Sequence, residues 1–199
     1  MIRATIITKV YARMDEVLQT DSIDVVPSHL VEHHLDDAAL RLLEMLPANQ
    51  QQVFSALDTL PHPIVESDHL YQPCPLDMVK IARVRLPGWS RTVNNTIYEG
   101  NPNAQAQVFR YMKGTALRPV VVMVQEDQNQ FALQMYPRTG DKPDVFLYVK
   151  KRLPEQLEDA LIDSLCYITA ARCFEAVENM TAAKICYEWL AKYIEFNKK

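Results

Sequence analysis

Two of the five histidines, all of which precede residue 70, frame a carboxylate: "HLVEH", His29 to His33, matches the H-x-x-E-H order of inverted zinc peptidases. Four-residue spacing sets both imidazoles on one helix face, and Glu32 between them has the chemistry of a base for a metal-bound water. The pattern fixes only three positions and needs a third ligand far downstream, where nothing distinctive stands out. His34, Asp36 and Asp37 read as its solvated flank. Nucleophile chemistry has less support. There is no Gly-x-Ser-x-Gly elbow and no glycine-rich phosphate loop, four glycines being too few to build one. Every cysteine follows the last histidine, so a Cys–His pair depends on the fold; His69 and Cys74 are the nearest couple. Glu155, Glu158, Asp159 and Asp163 recur at helical spacing beside an apolar stripe, the pattern of a wet helix face. These residues give no ground for a cofactor, and the expectation is a protein that is not an enzyme.

One stretch carries a different chemistry. "QPCPLDMVKIARVRLPGWSRTV", residues 72–93, runs from a proline-flanked turn into alternating apolar and basic residues, then breaks at Pro87-Gly88 onto Trp89. In a regular strand Val79, Ile81, Arg83 and Arg85 share one side, with Lys80, Ala82, Val84 and Leu86 on the other. Neither side is purely apolar. Such a strand suits an interface with a second protein surface, phosphate contacts, or salt bridges at a sheet edge.

The elements that would position these residues follow from periodicity. Ile6, Val10, Met14 and Val17 form one stripe of a helix over 4–18, which "QTDSID" ends. A second helix follows Pro27 with Ser28 as N-cap, buries Val31, Leu35, Ala38 or Ala39, Leu42 and Leu46, and stops at Pro47. Residues 51–57 read as a short helix or a loop. Strands are expected at 64–71, 78–86, 119–125, 130–136 and 145–150, with "EDQNQ" as a hairpin turn. "NPNAQAQVFRYMKG" reads as a loop with a short helix capped by Gly114. The helical period returns after Pro154, with Leu157, Leu161, Leu165, Ile168 and Ala171 on one face, and a last helix over 181–196 buries Ala183, Cys186, Leu190 and Tyr193.

The order is helices, antiparallel strands, helices. It predicts an α+β fold: N-terminal helices, a small central antiparallel β-sheet with an inserted loop, and a C-terminal helical hairpin packed against the N-terminal helices. One domain is expected over 1–199, divided as 1–60, 61–152 with its loop at 94–116, and 153–199. A net charge of −4 argues against general affinity for duplex DNA and leaves room only for local basic strips. No long apolar run predicts a membrane span, and the opening "MIRATIITKV" lacks the core of a signal peptide. Cys74, Cys166, Cys173 and Cys186 contain no CxxC pair and read as buried free thiols, which points to folding in a reducing cytosol.

The order of features resembles the head-to-tail connector proteins of tailed bacteriophages (head-completion, tail-adaptor or ring proteins), most closely those of crAss-like phages. The resemblance rests on "HHLDDAALRLLEMLP", on "PCPLDMVKIARVRLPGWSRTV" as a Pro-x-Asp strand followed by Gly-Trp-x-Arg-x-Val, on "ALRPVVVMV", and on the closing "DALIDSLCYITAARCFEAVENMTAAKICYEWL". "NAQAQVFRYMKG" is similar to the variable insertion before the Arg-Pro strand of such proteins. The cysteine in Pro-Cys-Pro-Leu-Asp-Met departs from the family's usual apolar or glycine residue. The resemblance implies a virion protein assembled in the bacterial host cytoplasm. It implies a ring, commonly of twelve copies, that docks beneath the portal protein, extends the channel used in genome ejection and presents a platform to the next tail component. DNA passes without sequence-specific binding, and no metal, cofactor or membrane is involved. Unpaired sheet edges, and arginines without a partner in their own chain, would be satisfied by the next subunit; Arg83, Arg85, Trp89 and Arg91 are the expected intersubunit or portal-facing groups. Alternatives are another phage or prophage assembly factor, or a small zinc hydrolase built on His29, Glu32 and His33.

Overall fold

A helix with apolar residues on every side has to sit in the middle of something, and "DALIDSLCYITAARCFEA" is such a helix. In the computed structural model, which describes residues 1–18, 26–109, 111–127 and 130–196, it forms α4 (Asp159–Ala176). The chain divides into two compact units, 1–50 with 151–199, and 51–150.

The first unit is helical. Besides α4 it contains α1 (Arg3–Leu18), α2 (Ser28–Met45) and α5 (Met180–Phe196), and α4 packs against all three. The C-terminal hairpin thus packs on the N-terminal helices, as expected. Ile6, Val10, Met14 and Val17 are the buried stripe of α1, and Val31, Leu35, Ala38, Ala39, Leu42 and Leu43 that of α2. The single stripe expected for α4 is too narrow: Leu161, Ile162, Leu165, Cys166, Tyr167, Ile168 and Phe174 surround the helix and are all buried. Ser28 is the first residue of α2, not its cap, because Pro27 holds the extended cap position. The segment "QTDSID" lies outside the described residues.

Between α4 and α5 the chain turns on a residue with positive φ, Glu178 at 60°. The Asn179 N–H donates to Phe174 O at 2.8 Å and the Glu178 N–H to Glu175 O at 3.1 Å, the paired bonds of a Schellman closure. Asn179 Oδ1 then accepts from the Ala182 N–H and caps α5. All four cysteines are buried and free.

The second unit is built on two sheets. The smaller has the order β1 (Phe54–Ser55), β8 (Val145–Lys150), β4 (Met78–Arg85). The larger runs β2 (Ile64–Val65), β3 (Leu70–Pro73), β7 (Gln130–Tyr136), β6 (Val120–Asp127), β5 (Ile97–Tyr98). Every pairing is antiparallel except β5 with β6. The strand expected over 64–71 is a tight hairpin of β2 and β3, closed by the Glu66 N–H on His69 O. Residues 48–50 form a 3-10 turn, and the ambiguous 51–57 segment contains β1. The center of "EDQNQ", residues 128 and 129, lies outside the described residues.

The two sheets bury one core, in which Leu70, Met123, Leu133 and Met135 meet Ile81, Val84, Phe146 and Tyr148. The run "VVVMV" is buried on both faces, which explains its lack of alternation. Val121 and Met123 face this core, while Val122 joins Tyr136 and Ala104 beneath the insertion between β5 and β6. That insertion holds a short helix, α3 (Pro102–Gln105), as expected, capped by Asn101. Gly114 does not cap it. A side chain there would meet Tyr136 O at 2.8 Å and Val120 N at 3.0 Å, so glycine is required for close approach of two backbones.

A candidate assembly surface

Two β-bulges decide which residues of β4 face outward. Pairing with β8 runs Met78↔Lys150, Lys80↔Val149, Ile81↔Tyr148, Arg83↔Leu147, Val84↔Phe146, with register shifts between 78 and 80 and between 81 and 83. Each shift inserts one residue and resets the alternation. Met78, Ile81, Val84 and Leu86, at spacings of three, three and two, all enter the core. The two mixed faces expected from strict alternation are therefore corrected: the strand has one apolar face, and the bulges bring its residues into phase.

The four expected contact residues separate by environment. Arg83 and Arg91 are exposed and make no ion pair among the described residues. Arg85 is answered within its own chain by Asp144, with Nε at 3.1 Å from both carboxylate oxygens and Nη2 at 2.7 Å from Oδ2. The expectation that arginines here lack an in-chain partner is thus corrected for Arg85. Trp89 is 5% exposed and sits in the core of its own unit. The Pro87-Gly88 turn, with φ 84° at Gly88, swings it inward, and its indole N–H donates to Pro137 O at 2.9 Å.

Beside this edge stands the insertion, and its residues were not singled out by the sequence patterns. Tyr111 is 97% exposed, Val108 79%, Leu117 74%, Met112 64% and Phe109 63%. Apolar side chains at this density exceed the scattered exposure normal for a surface. The available signal was the cluster "VFRYM" inside an otherwise polar, glutamine-rich loop.

The loop that presents them is braced at three points. The buried Gln107 amide donates to Asn103 O at 2.9 Å and accepts from the Gly114 N–H at 2.7 Å. Lys113 forms an ion pair with Asp68, which also bonds His69 Nδ1 at 2.8 Å; His69 in turn stacks on Tyr136. The hydrogen bond from Lys113, and after it that of His69, hold the Asp68 carboxyl at about 2. The Ser90 N–H and hydroxyl both donate to Ala116 O at 2.9 Å, tying the segment that carries Arg91 to the one that carries Leu117 and Arg118. The Val84–Val93 bridge ties that segment to β4. Arg83, Arg91 and Arg118 therefore lie on three adjoining strips of chain. Arg118 is exposed and, like the other two, without an ion pair among the described residues.

The remaining candidates have other settings. His29, Glu32 and His33 lie on the exposed face of α2, and no group of three His, Cys, Asp or Glu suited to a metal exists among the described residues. Cys74 is buried, and desolvation pushes its thiol up to about 12, the reverse of what a nucleophile needs. Glu155, Glu158 and Asp163 are spent on Arg3, Arg152 and Arg13 rather than lining a plain wet face. Compared with known proteins, the chain matches no family model, and no curated protein matches it. No described helix is long and apolar enough to cross a membrane.

Proposed function

We propose that this protein is a structural component of a tailed-phage virion. In this reading it forms a ring beneath the portal, joins the filled capsid to the tail and extends the DNA channel. The observation that carries the reading is the braced insertion. A loop that costs a buried glutamine, an ion pair and a close-approach glycine to hold still, yet presents Phe109 and Tyr111 to solvent, is a preformed protein-binding surface. Arg83 and Arg91 beside it offer charged groups that a neighbor can satisfy. Trp89 supports that surface from behind rather than contacting the partner itself.

A ring needs a heterologous contact, one surface meeting a different surface of the next copy. The net charge of −4 is compatible with a channel, since tight phosphate binding would hold the genome back. The role is mechanical and connective, without catalysis. Native mass spectrometry over a wide concentration range, alone and with portal protein added, tests it. The expected result is a metal-free ring of about twelve copies, formed alone or on the portal. A chain that stays monomeric even with portal, or a monomer carrying one zinc, overturns the reading.

A further inference from the structure

Charge is divided sharply between the two units. The helical unit holds eleven Lys and Arg against sixteen Asp and Glu, whereas the β unit holds ten against nine. Within the β unit, residues 78–118 hold seven Lys and Arg against Glu99 alone. Among them Arg85 is neutralized by Asp144 and Lys113 by Asp68. Arg83, Arg91 and Arg118 are exposed without an ion pair among the described residues, and the insertion, tied to the Arg91 segment through Ser90 and Ala116, exposes Phe109, Tyr111 and Leu117.

The opposite surface exists on the same molecule. Across α2, Glu32, Asp36, Asp37 and Glu44 face solvent, with Arg41 as the helix's one Lys or Arg. Arg3 is shared between Asp36 and Glu155, and Arg172 lies nearer Glu175, at 3.0 Å, than Asp37, at 3.9 Å, so acidic groups outnumber the arginines on this face.

The geometry points to a contact between copies: the arginine edge and aromatic insertion of one copy dock on the outer face of α2 in a second copy. This rests on the ring reading and names its subunit contact. A basic edge and an acidic helix on one chain are complementary only between different surfaces, which is the heterologous arrangement that propagates around a ring. Basic and aromatic residues together also suit a single nucleic-acid strand. The exposed Val108 and Leu117 of the insertion favor a protein surface, since aliphatic groups gain nothing from phosphate. The acidic partner is moreover present at the same concentration as the basic one.

Two variants test the contact. One carries Arg83→Glu, Arg91→Glu and Arg118→Glu; the other carries Glu32→Lys and Asp37→Lys. All five positions are exposed, so circular dichroism and melting temperature are expected to stay close to wild type. Sedimentation velocity at low salt is expected to show concentration-dependent association of the wild type, weakened by salt. Each variant alone is expected to lose it, with a dissociation constant raised about 100-fold or more. Mixing the two restores the contact wherever the variants alternate, because the reversed edge of the first meets the reversed helix of the second and the native edge of the second meets the native helix of the first; recovery in the mixture is the decisive result.

Association of either variant at wild-type strength, or a mixture that stays monomeric, overturns the contact. Binding of a twenty-nucleotide single strand by wild type, lost in the arginine variant while the α2 variant still self-associates, assigns the edge to nucleic acid and also overturns it. A wild type that is monomeric up to about 1 mM overturns this contact. It leaves the ring reading standing if rings form on added portal through residues that these substitutions do not affect.

Discussion

Asp68 holds two groups at once, Lys113 from the insertion and His69 from its own hairpin. Its carboxyl is depressed from the ordinary 3.8 to about 2, so the stabilization it gives is full above the ordinary value and is lost as pH falls toward 2. Asp68→Asn is expected to lower the melting temperature by a few degrees at pH 6, the pair being partly exposed and worth about 1 kcal/mol or less. The gap between variant and wild type should close between about pH 4 and pH 2; a gap that persists to pH 2 would show that the carboxylate carries none of it. Trp89 makes the opposite case, a residue whose side chain is fully spent inside. Trp89→Ala is expected to cost the β unit about 3–5 kcal/mol in denaturant titration, through lost packing and an unsatisfied Pro137 carbonyl. A lone tryptophan after Pro-Gly gives no sign in the sequence of which way it points. Its direction is set by a carbonyl 48 residues away and by the φ of Gly88, neither of which leaves a local pattern.

Helices were legible as elements because their stripes are local. α1 and α2 bury the residues that a 3.6-residue period selects. β4 was legible as a strand but not in its facing, since a bulge changes the phase of alternation without changing composition. β5 escaped notice for a related reason: two residues pairing parallel to β6 carry no periodicity. At the α4–α5 junction the element is closed by Glu178 in a left-handed conformation that suits glycine better. Glu178→Gly is expected to raise stability by about 1 kcal/mol, read as a higher denaturation midpoint at unchanged slope. A lower midpoint would mean that the Glu178 side chain contributes more than its backbone costs. The exposed apolar insertion shows where element-level reading fails most. Its bracing comes from Asp68, Ser90 and Tyr136, all distant in sequence, so the loop looked merely variable until the fold gathered them.

Over the whole molecule, the sequence order of helices, strands and helices foretold which segments would pack, because α4 is too apolar to stand without α1, α2 and α5 around it. Truncation at Leu153 is accordingly expected to abolish the helical unit, with loss of far-UV helical signal, since the stripes of α1 and α2 then have nothing to cover them. The division of charge was present in the sequence but invisible until the fold showed that residues 1–50 and 151–199 belong together. That division has a further side. The β unit begins and ends on neighboring strands: Phe54 of β1 lies opposite Tyr148 of β8, about 5 Å away across one ladder. The chain therefore leaves this unit beside the place where it entered, as an inserted cassette does in a host domain. A single in-frame deletion of 51–150, replaced by a short Gly-Ser link, should leave four helices able to fold, and a foreign domain with closely spaced ends should be accepted at the same position. The gene would then be modular, with one cut-and-join event enough to change what the helical host displays.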